Sequence, residues 1–388
     1  YFFVARKAES DLCADYIQEI ENKLGIPTMG RAERFPEIFE YLMKLSIERP
    51  ITLFIDEFQE FFKVNKSVYS DMQRIWDMYH TKAHINLIVC GSIFSMMTKI
   101  FKDKKEPLYN RQTRFMSIKP FTPAVLKEIM AEYNPNYTSE DLLALYSFTG
   151  GVAKYVQLLV DAGATTKTKM LNHIIKADSV FLGEGKAILI EEFGKDYGVY
   201  FSILSAIARG KTLRSEIEQI VGREIGGYLT KLEKEYEVIT KNQPIFEKSS
   251  TKNVRYTIED NFFTFWFRFI YKYNYMLEIE NYDAVKTIIN RDYETFSGKM
   301  LERYFKRVLM ESKAYTRIGS WWDRKGENEI DIVAENELND EAVFIEVKRK
   351  EENFDADALN EKVDVFTRAT GKFKDYDVSQ KGLSMTDM

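Results

Sequence analysis

Cysteine is nearly absent: two residues, Cys13 and Cys90, stand in a chain of 388. Their separation and unrelated contexts exclude a disulfide framework and a cysteine-built zinc site, and they fit a reducing, cytoplasmic compartment. Histidine is as scarce, and His80, His84 and His173 form no cluster, so the default reading is solvated or satisfied imidazoles. Long apolar runs are missing too. The longest apolar-aromatic stretch, Phe262 to Tyr271, is interrupted by Thr264 and Arg268 and is too short to span a bilayer. The chain opens abruptly at Tyr1-Phe2-Phe3, and no leader with a charged start and an apolar middle is read there. A surplus of charge is also lacking: 55 Lys and Arg against 60 Asp and Glu leave a net charge of −5. The protein as a whole is therefore no polycation, and any contact with nucleic acid must come from a local basic patch. No internal repeat and no low-complexity tract is evident.

What remains is a globular balance, 45% hydrophobic and 30% charged, in a chain long enough for two or three domains. The first third alternates strands and helices. Helices are expected over 14–24, 35–47 and 68–79 from apolar residues at helical spacing. Between them lie near-continuous apolar strands, Ile51-Thr52-Leu53-Phe54-Ile55, ending in Asp56-Glu57, and Ile85 to Cys90, ending in Gly91-Ser92. Such strands argue for a parallel sheet covered on both faces. From Phe121 to Ala162 the pattern is helical, broken at Gly150-Gly151, and 163–185 reads as a helix plus a linker. Over 197–256 the order is three helices, then two short strands, 238–240 and 254–257, around a polar loop. That order is the one of a winged helix. An aromatic-rich helix comes next, from Asp260 or Asn261. Last come a helix over 296–312, strands over 316–322, 329–334 and 342–347, and a helix from about Asp355.

A buried parallel strand ending in two carboxylates is what magnesium-nucleotide chemistry requires, because ligands of open α/β sheets sit at the carboxyl ends of strands. Asp56 can hold Mg²⁺ through water, and Glu57 can orient or deprotonate an attacking water. Ser92, at the end of the neighbouring strand, is placed to sense a γ-phosphate, and Arg111 and Arg114 could reach one as arginine fingers. A phosphate-binding loop of the form Gly-x-x-x-x-Gly-Lys-Ser/Thr does not occur. Gly210-Lys211-Thr212 is a decoy, since Ser205 inside a helix stands where the first glycine should, and Thr212 is expected to cap the next helix.

In order and spacing, Asp56-Glu57, Gly91-Ser92, Leu108-Tyr109-Asn110-Arg111 and Gly150-Gly151-Val152-Ala153-Lys154-Tyr155 resemble the bacterial and archaeal branch of AAA+ ATPases. In that family a winged helix comes after the ATPase module, then a C-terminal domain like the PD-(D/E)xK nucleases, and the resemblance covers essentially the whole chain. Two departures stand out. Asn110 occupies a position where the family usually has glycine, and the family's P-loop falls roughly one βα unit upstream of the segment matching Tyr1. The resemblance thus implies that an amino-terminal strand and P-loop are missing, and that this chain alone does not hydrolyse ATP.

The same resemblance points to Asp331, Glu346 and Lys348 as a metal-dependent catalytic set, with Glu302 as the upstream acid. Strand alternation is consistent with it. Glu329 and Asp331 share one face of their strand and the isoleucines the other, while Glu346 and Lys348 share a face opposite Ile345 and Val347. Two carboxylates and one ammonium facing one cleft suit phosphodiester hydrolysis, with Mg²⁺ or Mn²⁺ on the acids and the lysine on a water or on the transition-state charge. Lys325-Gly326 is a plausible hairpin turn. In the winged helix, Lys231, Lys234, Arg223 and Arg255 could meet a DNA backbone, but Glu233 and Glu235 dilute that charge, and domain packing is an equal reading. The aromatic helix is apolar nearly all round, which favours burial between domains over base stacking.

The expected protein is an α/β multidomain chain. A parallel-sheet AAA+-like ATPase module without its P-loop covers 1–185, a winged helix with the aromatic helix covers 186–285, and an α/β PD-(D/E)xK nuclease-like domain covers 286–388. Its expected activity is ATP-regulated action on DNA, with Asp56, Glu57, Ser92 and Arg111 at the nucleotide and Asp331, Glu346, Lys348 and Glu302 at the metal cleft. A non-catalytic nucleotide switch with a degenerate nuclease fold is the alternative. Self-association is the expectation that arginine fingers carry, and no membrane partner is expected.

Overall fold

The computed structural model describes residues 1–25, 30–248 and 251–388. The chain divides into two compact units, Tyr1–Ser117 and Ile118–Met388.

In the first unit three strands, β1 (Phe2–Phe3), β2 (Ile51–Asp56) and β3 (Ile85–Val89), form a parallel sheet in that order, with Ile55 opposite Phe2 on one side and Val89 on the other. Helices α1 (Glu9–Leu24), α2 (Phe35–Glu48), α3 (Phe61–Val64), α4 (Ser67–Tyr79) and α5 (Phe94–Lys102) accompany it. Helix α1 begins five residues before the expected start, with Glu9 and Asp11 in its first turn against the positive end of the helix dipole, and it stops at Gly25 with φ +62°. The apolar stripes of α1, α2 and α4 converge with Leu53 and Ile55 on one core that includes Phe35, Phe39, Phe58 and Phe61.

The second unit begins with helices α6 (Pro123–Tyr133), α7 (Ser139–Thr149), α8 (Ala153–Asp161), α9 (Lys167–Ile174) and α10 (Val180–Phe193). Thr138 and Asp141 cap α7 reciprocally, and Gly150 at φ +62° ends it. Helices α11 (Tyr197–Ala208), α12 (Arg214–Val221) and α13 (Gly226–Lys234) then precede an antiparallel ribbon of β4 (Ile239–Asn242) and β5 (Arg255–Ile258). The polar loop between these strands includes residues 249 and 250, outside the described residues. Thr212 does not cap α12. The position before that helix is Leu213, and the Thr212 carbonyl instead accepts the Tyr256 N–H at 2.8 Å, tying the turn to the ribbon.

The aromatic segment is α14 (Asn261–Phe265) running into a π-helical stretch, Trp266–Tyr271, and then α15 (Asn274–Glu278). Phe262, Phe265, Trp266, Phe267, Phe269 and Ile270 are all buried in a core that also takes residues of α7, α11 and the long helix α16 (Tyr282–Ser312). Helices α6 to α10, expected from sequence to belong with the first module, therefore share their core with the aromatic segment and α16.

A four-stranded mixed sheet closes the unit: β6 (Arg317–Trp322), β7 (Glu329–Asn336), β8 (Glu341–Val347) and β9 (Asp377–Leu383), in that order. The first three are antiparallel and β9 joins β8 in parallel after α17 (Ala356–Thr370). Ile332, Ile345 and Val347 face the main core, and Ile330, Val333 and Phe344 face a second one with Leu359, Val363 and Phe366 of α17. Among the described residues no helix is long and apolar enough to cross a membrane.

This packing generates two expected outcomes. A Cβ added at Gly185 would lie 2.5 Å from Cδ2 of the buried Trp266 indole, whose Nε1 donates to the Leu182 carbonyl at 3.1 Å. Gly185→Ala is expected to destabilise the protein by about 1–3 kcal/mol and lower the Tm read by circular dichroism; an unchanged Tm would mean that the indole retreats freely. Asp260 caps α14 through the Phe263 N–H at 2.9 Å, and burial pushes its carboxyl up to about 6 against the pull of the Phe263 and Phe262 amides. A carboxyl raised in the folded state adds stability only while protonated. The contribution is complete below about pH 4 and is lost as pH rises through the folded value. Asp260→Asn keeps the cap and should flatten the fall in unfolding free energy over that window, measured by urea titration at several pH values.

Candidate functional site

Two clusters gather the residues singled out from sequence, one in each unit. In the first, β2 delivers Asp56 to the carboxyl end of the sheet. Its carboxylate accepts the Tyr1 hydroxyl at 2.5 Å and the Cys90 thiol at 2.7 Å, and these two donors, Cys90 foremost, hold its pKa below the usual range. Glu57 turns out of the strand at φ +52°, a left-handed conformation that a residue with a Cβ adopts only when its surroundings impose it. The surroundings do impose it: the Phe58 N–H is held by the Cys90 carbonyl at 2.9 Å, and the Glu57 carboxylate accepts the Gln59 amide and, at 3.0 Å, the Ser92 hydroxyl. Asp56, Glu57 and Ser92 thus meet at one end of the sheet, as their strand positions require. Arg111 does not join them. Its guanidinium forks onto Asp77 at 3.0 and 2.8 Å and donates to the Pro107 carbonyl at 2.8 Å, so a finger role requires leaving a bidentate partner.

In the second unit Glu302 comes from α16, Asp331 from β7, Glu346 from the end of β8 and Lys348 from the residue just past it. The alternation expected along β7 fails at one point. Opposite the two steps from Gly319 to Trp321 of β6, β7 takes three, from Val333 to Ile330, so an extra residue is accommodated at 331–332. Ile330 and Ile332, expected on one face, consequently enter different cores. Such a bulge re-aims a side chain. Here the Asp331 carboxylate accepts the Val347 N–H at 2.8 Å, a position the regular ladder does not reach, since β7–β8 pairing ends at Ile332 opposite Ile345.

The electrostatics are those of crowded acids. Burial, then the neighbouring Asp331 charge, push Glu302 to about 7 against the attraction of Lys299, whose ammonium lies 2.9 Å from it. Burial also raises Asp331, as does Glu346, while the Val347 amide, Lys299 and Lys348 oppose the shift. Glu346 is only 7% exposed and is held by two lysines, Lys348 at 2.7 Å and Lys362 of α17 at 2.9 and 3.0 Å. Among the described residues no three His, Cys, Asp or Glu side chains close on a single point in metal-binding geometry.

Lys299, Lys362 and Gln59, which contact Glu302, Glu346 and Glu57, were not singled out from the sequence. Lys299 precedes Glu302 by three residues, one turn of α16, so its pairing was readable. Lys362 was not, because only the packing of α17 on the sheet brings it to β8. The hairpin at Lys325-Gly326 is present, with Gly326 at φ +73° and Trp322 opposite Glu329. Arg255, one of the cations considered for a DNA backbone, stacks on Trp322 at 4.4 Å and pairs with Glu329 at 2.9 Å, beside this cleft.

Residues 4–159 match the model of an ATPase domain found predominantly in Archaea, and residues 266–361 match a family described as archaeal and bacterial proteins of unknown function. An uncharacterized protein of Methanocaldococcus jannaschii, MJECL04, is 33% identical over 340 residues, spanning 84% of this chain and 72% of its own length. A second uncharacterized protein of that organism, MJ0424, is 34% identical over 56 residues, 14% of this chain and 54% of the relative. Among solved structures, the Walker-type ATPase PABY2304 of Pyrococcus abyssi superposes with a TM-score of 0.50 at 18% identity, over 69% of this chain and 83% of that one. This likeness is one of fold.

The first cluster generates a test of its own. A Cβ at Gly91 would sit 2.0 Å from Oε1 of Gln59, a buried side chain that also holds Glu57. Gly91→Ala should cost about 1–3 kcal/mol in denaturant unfolding, and combining it with Gln59→Ala, which vacates the space, should cost less than the sum.

Proposed function

Because the chain belongs to the same family as the uncharacterized Methanocaldococcus jannaschii protein and its residues 4–159 match an archaeal ATPase domain, we propose that it is a nucleotide-regulated, DNA-acting protein with a metal-dependent nuclease-like cleft. The observation that carries the reading is the convergence of Glu302, Asp331, Glu346 and Lys348 on one another, with Glu302 raised to about 7 by burial first and by the Asp331 charge second. Buried carboxylates that resist ionisation in one another's company are a place where a divalent cation is favoured.

Mg²⁺ or Mn²⁺ would be held by Asp331, Glu346 and Glu302, and would supply a polarised water and charge neutralisation at a phosphodiester. Lys348, freed from Glu346 by the cation, would sit against the developing negative charge. DNA is the proposed partner, approached by the ribbon of β4 and β5 in a winged-helix arrangement whose Arg255 already stacks beside the cleft. In the first unit Asp56 would hold a Mg²⁺ ion of bound ATP and Glu57 would orient water. The phosphate-wrapping loop is not among the 388 residues. A strand bearing one could pair with the outer side of β3, one of the two edges of the sheet.

A second reading, a nucleotide switch whose nuclease-like fold no longer cuts, is favoured by the two lysines that neutralise Glu346. Incubation of the full chain with supercoiled and single-stranded DNA plus Mn²⁺ separates the two. Metal-dependent cleavage abolished by Asp331→Ala and by Glu346→Ala establishes the first. Lys362→Met, which removes one competing cation, is expected to tighten Mn²⁺ binding several-fold by calorimetry. Absence of both Mn²⁺ binding and cleavage, in wild type and in Lys362→Met, sinks the catalytic reading.

A further inference from the structure

One residue beyond the acids and lysine of the cleft, Arg349 comes after Lys348 at the end of β8 and turns the other way. Its guanidinium reaches Glu140 on α7 at 2.5 Å and donates to the Ser297 hydroxyl on α16. Glu140 is also paired with Lys167 of α9 at 3.2 Å. Both cations lie over the ring of Tyr293, Lys167 at 4.6 Å and Arg349 at 5.5 Å, and Tyr293 is 2% exposed. Ser297 is fully buried, and the Arg349 side chain is 18% exposed. This is a mostly desolvated ion pair with aromatic and hydroxyl support, well beyond a solvent-exposed contact that contributes little.

The partners come from distant parts of the chain. Glu140 lies inside the stretch that matches the archaeal ATPase domain, and Arg349 inside the stretch that matches the second family. Both belong to the same compact unit. The backbone around Arg349 is pinned on the cleft side as well, by the Val347 N–H to Asp331 and the Lys348 N–H to the Leu383 carbonyl at 2.9 Å. Strand β8 ends at Val347, so Lys348 and Arg349 lie past its ladder. Past them the Arg349 carbonyl accepts the Met385 N–H at 3.5 Å, and the Glu140 pair holds the Arg349 side chain.

We propose that Arg349 is a positioning residue for the acid–lysine cleft, anchored by Glu140, so that α7 of the ATPase-matched stretch sets the placement of Glu346 and Lys348. The pair is not itself part of the chemistry: neither residue faces the acids. It gives the ATPase-matched helices a mechanical hold on the cleft, and rests on the nuclease-like reading only for the consequence, not for the contact.

Hydrogen exchange of the full-length chain, followed by mass spectrometry over the peptide containing 344–349, tests it. In Glu140→Gln, which keeps size and removes charge, exchange at the Val347 and Lys348 amides is expected to rise about tenfold over wild type while β6 and β7 stay as protected as before. Arg349→Met should do the same. The double variant should be no worse than either alone, because one interaction has been removed twice. Arg349→Lys, which can still reach one of the two partners, should recover part of the protection. Unchanged exchange in both single variants overturns the proposal. So does an increase spread evenly over the sheet, since that is loss of stability without positioning. The Mn²⁺ cleavage assay runs beside it. If wild type cuts, Glu140→Gln should lower kcat with KM unchanged. If neither wild type nor Lys362→Met binds Mn²⁺ or cuts, the nuclease reading fails while exchange still decides the role of Arg349.

Discussion

Eleven residues of backbone, Asn261 to Tyr271, six of whose large apolar side chains are buried, are the constraint on which the second unit's core depends. An all-round apolar helix is stable only if other elements enclose it. Here α7, α11 and α16 do so, through edge-to-face and tilted rings such as Phe148 on Phe265 at 4.7 Å and Phe201 on Phe267 at 5.3 Å. The π-helical stretch at Trp266–Tyr271 is part of the same solution, since one wider turn rotates the next side chains and lets Trp266 and Ile270 both reach the core. Helices that sequence order assigns to an ATPase module are thereby built into the same body as the acid–lysine cleft.

Much of this was legible in the sequence, and the remainder was hidden for identifiable reasons. Strands β2 and β3 are apolar runs bounded by polar residues, and they lie within a residue of the expected limits. Helix α16 begins fourteen residues earlier than expected, although Val285, Ile289 and Tyr293 already stand at helical spacing and are buried. The start of helix α10 reads as linker in the sequence, since two glycines lower helix propensity locally; one of them, Gly185, is there because an indole lies against it. Strand β9, Asp-Val-Ser-Gln-Lys-Gly-Leu, lacks any apolar alternation: five of its seven residues are exposed, and parallel pairing with β8 alone makes it a strand.

The candidate site shows the same division. Strand position was enough to single out Asp56, Glu57 and Ser92, which do meet, whereas Asp331, Glu346, Lys348 and Glu302 were reached through the family resemblance and interact as one charged cluster. Period-two alternation failed at Asp331 because a bulge is invisible to a pattern that assumes regular pairing. Lys362 and Arg349 were out of reach for a different reason. One depends on how α17 crosses the sheet and the other on a helix about two hundred residues away in sequence, and no local pattern encodes either. Charge balance in the cleft is likewise a tertiary property: the lysines that quiet the acids come from α16, β8 and α17 together.

The parallel pairing of β8 with β9 has a consequence in time. The backbone of Lys348 is fixed by the Leu383 carbonyl, and β9 leaves the ribosome some thirty-five residues after β8. At ordinary elongation rates of ~5–20 residues per second that is a delay of a few seconds. During the delay α7, α16 and the aromatic segment, all upstream, can already be folding, whereas the strand that carries Glu346 and Lys348 has only its antiparallel neighbour. Glu346 and Lys348 thus become rigid only after α7, α16 and the aromatic segment have had time to fold.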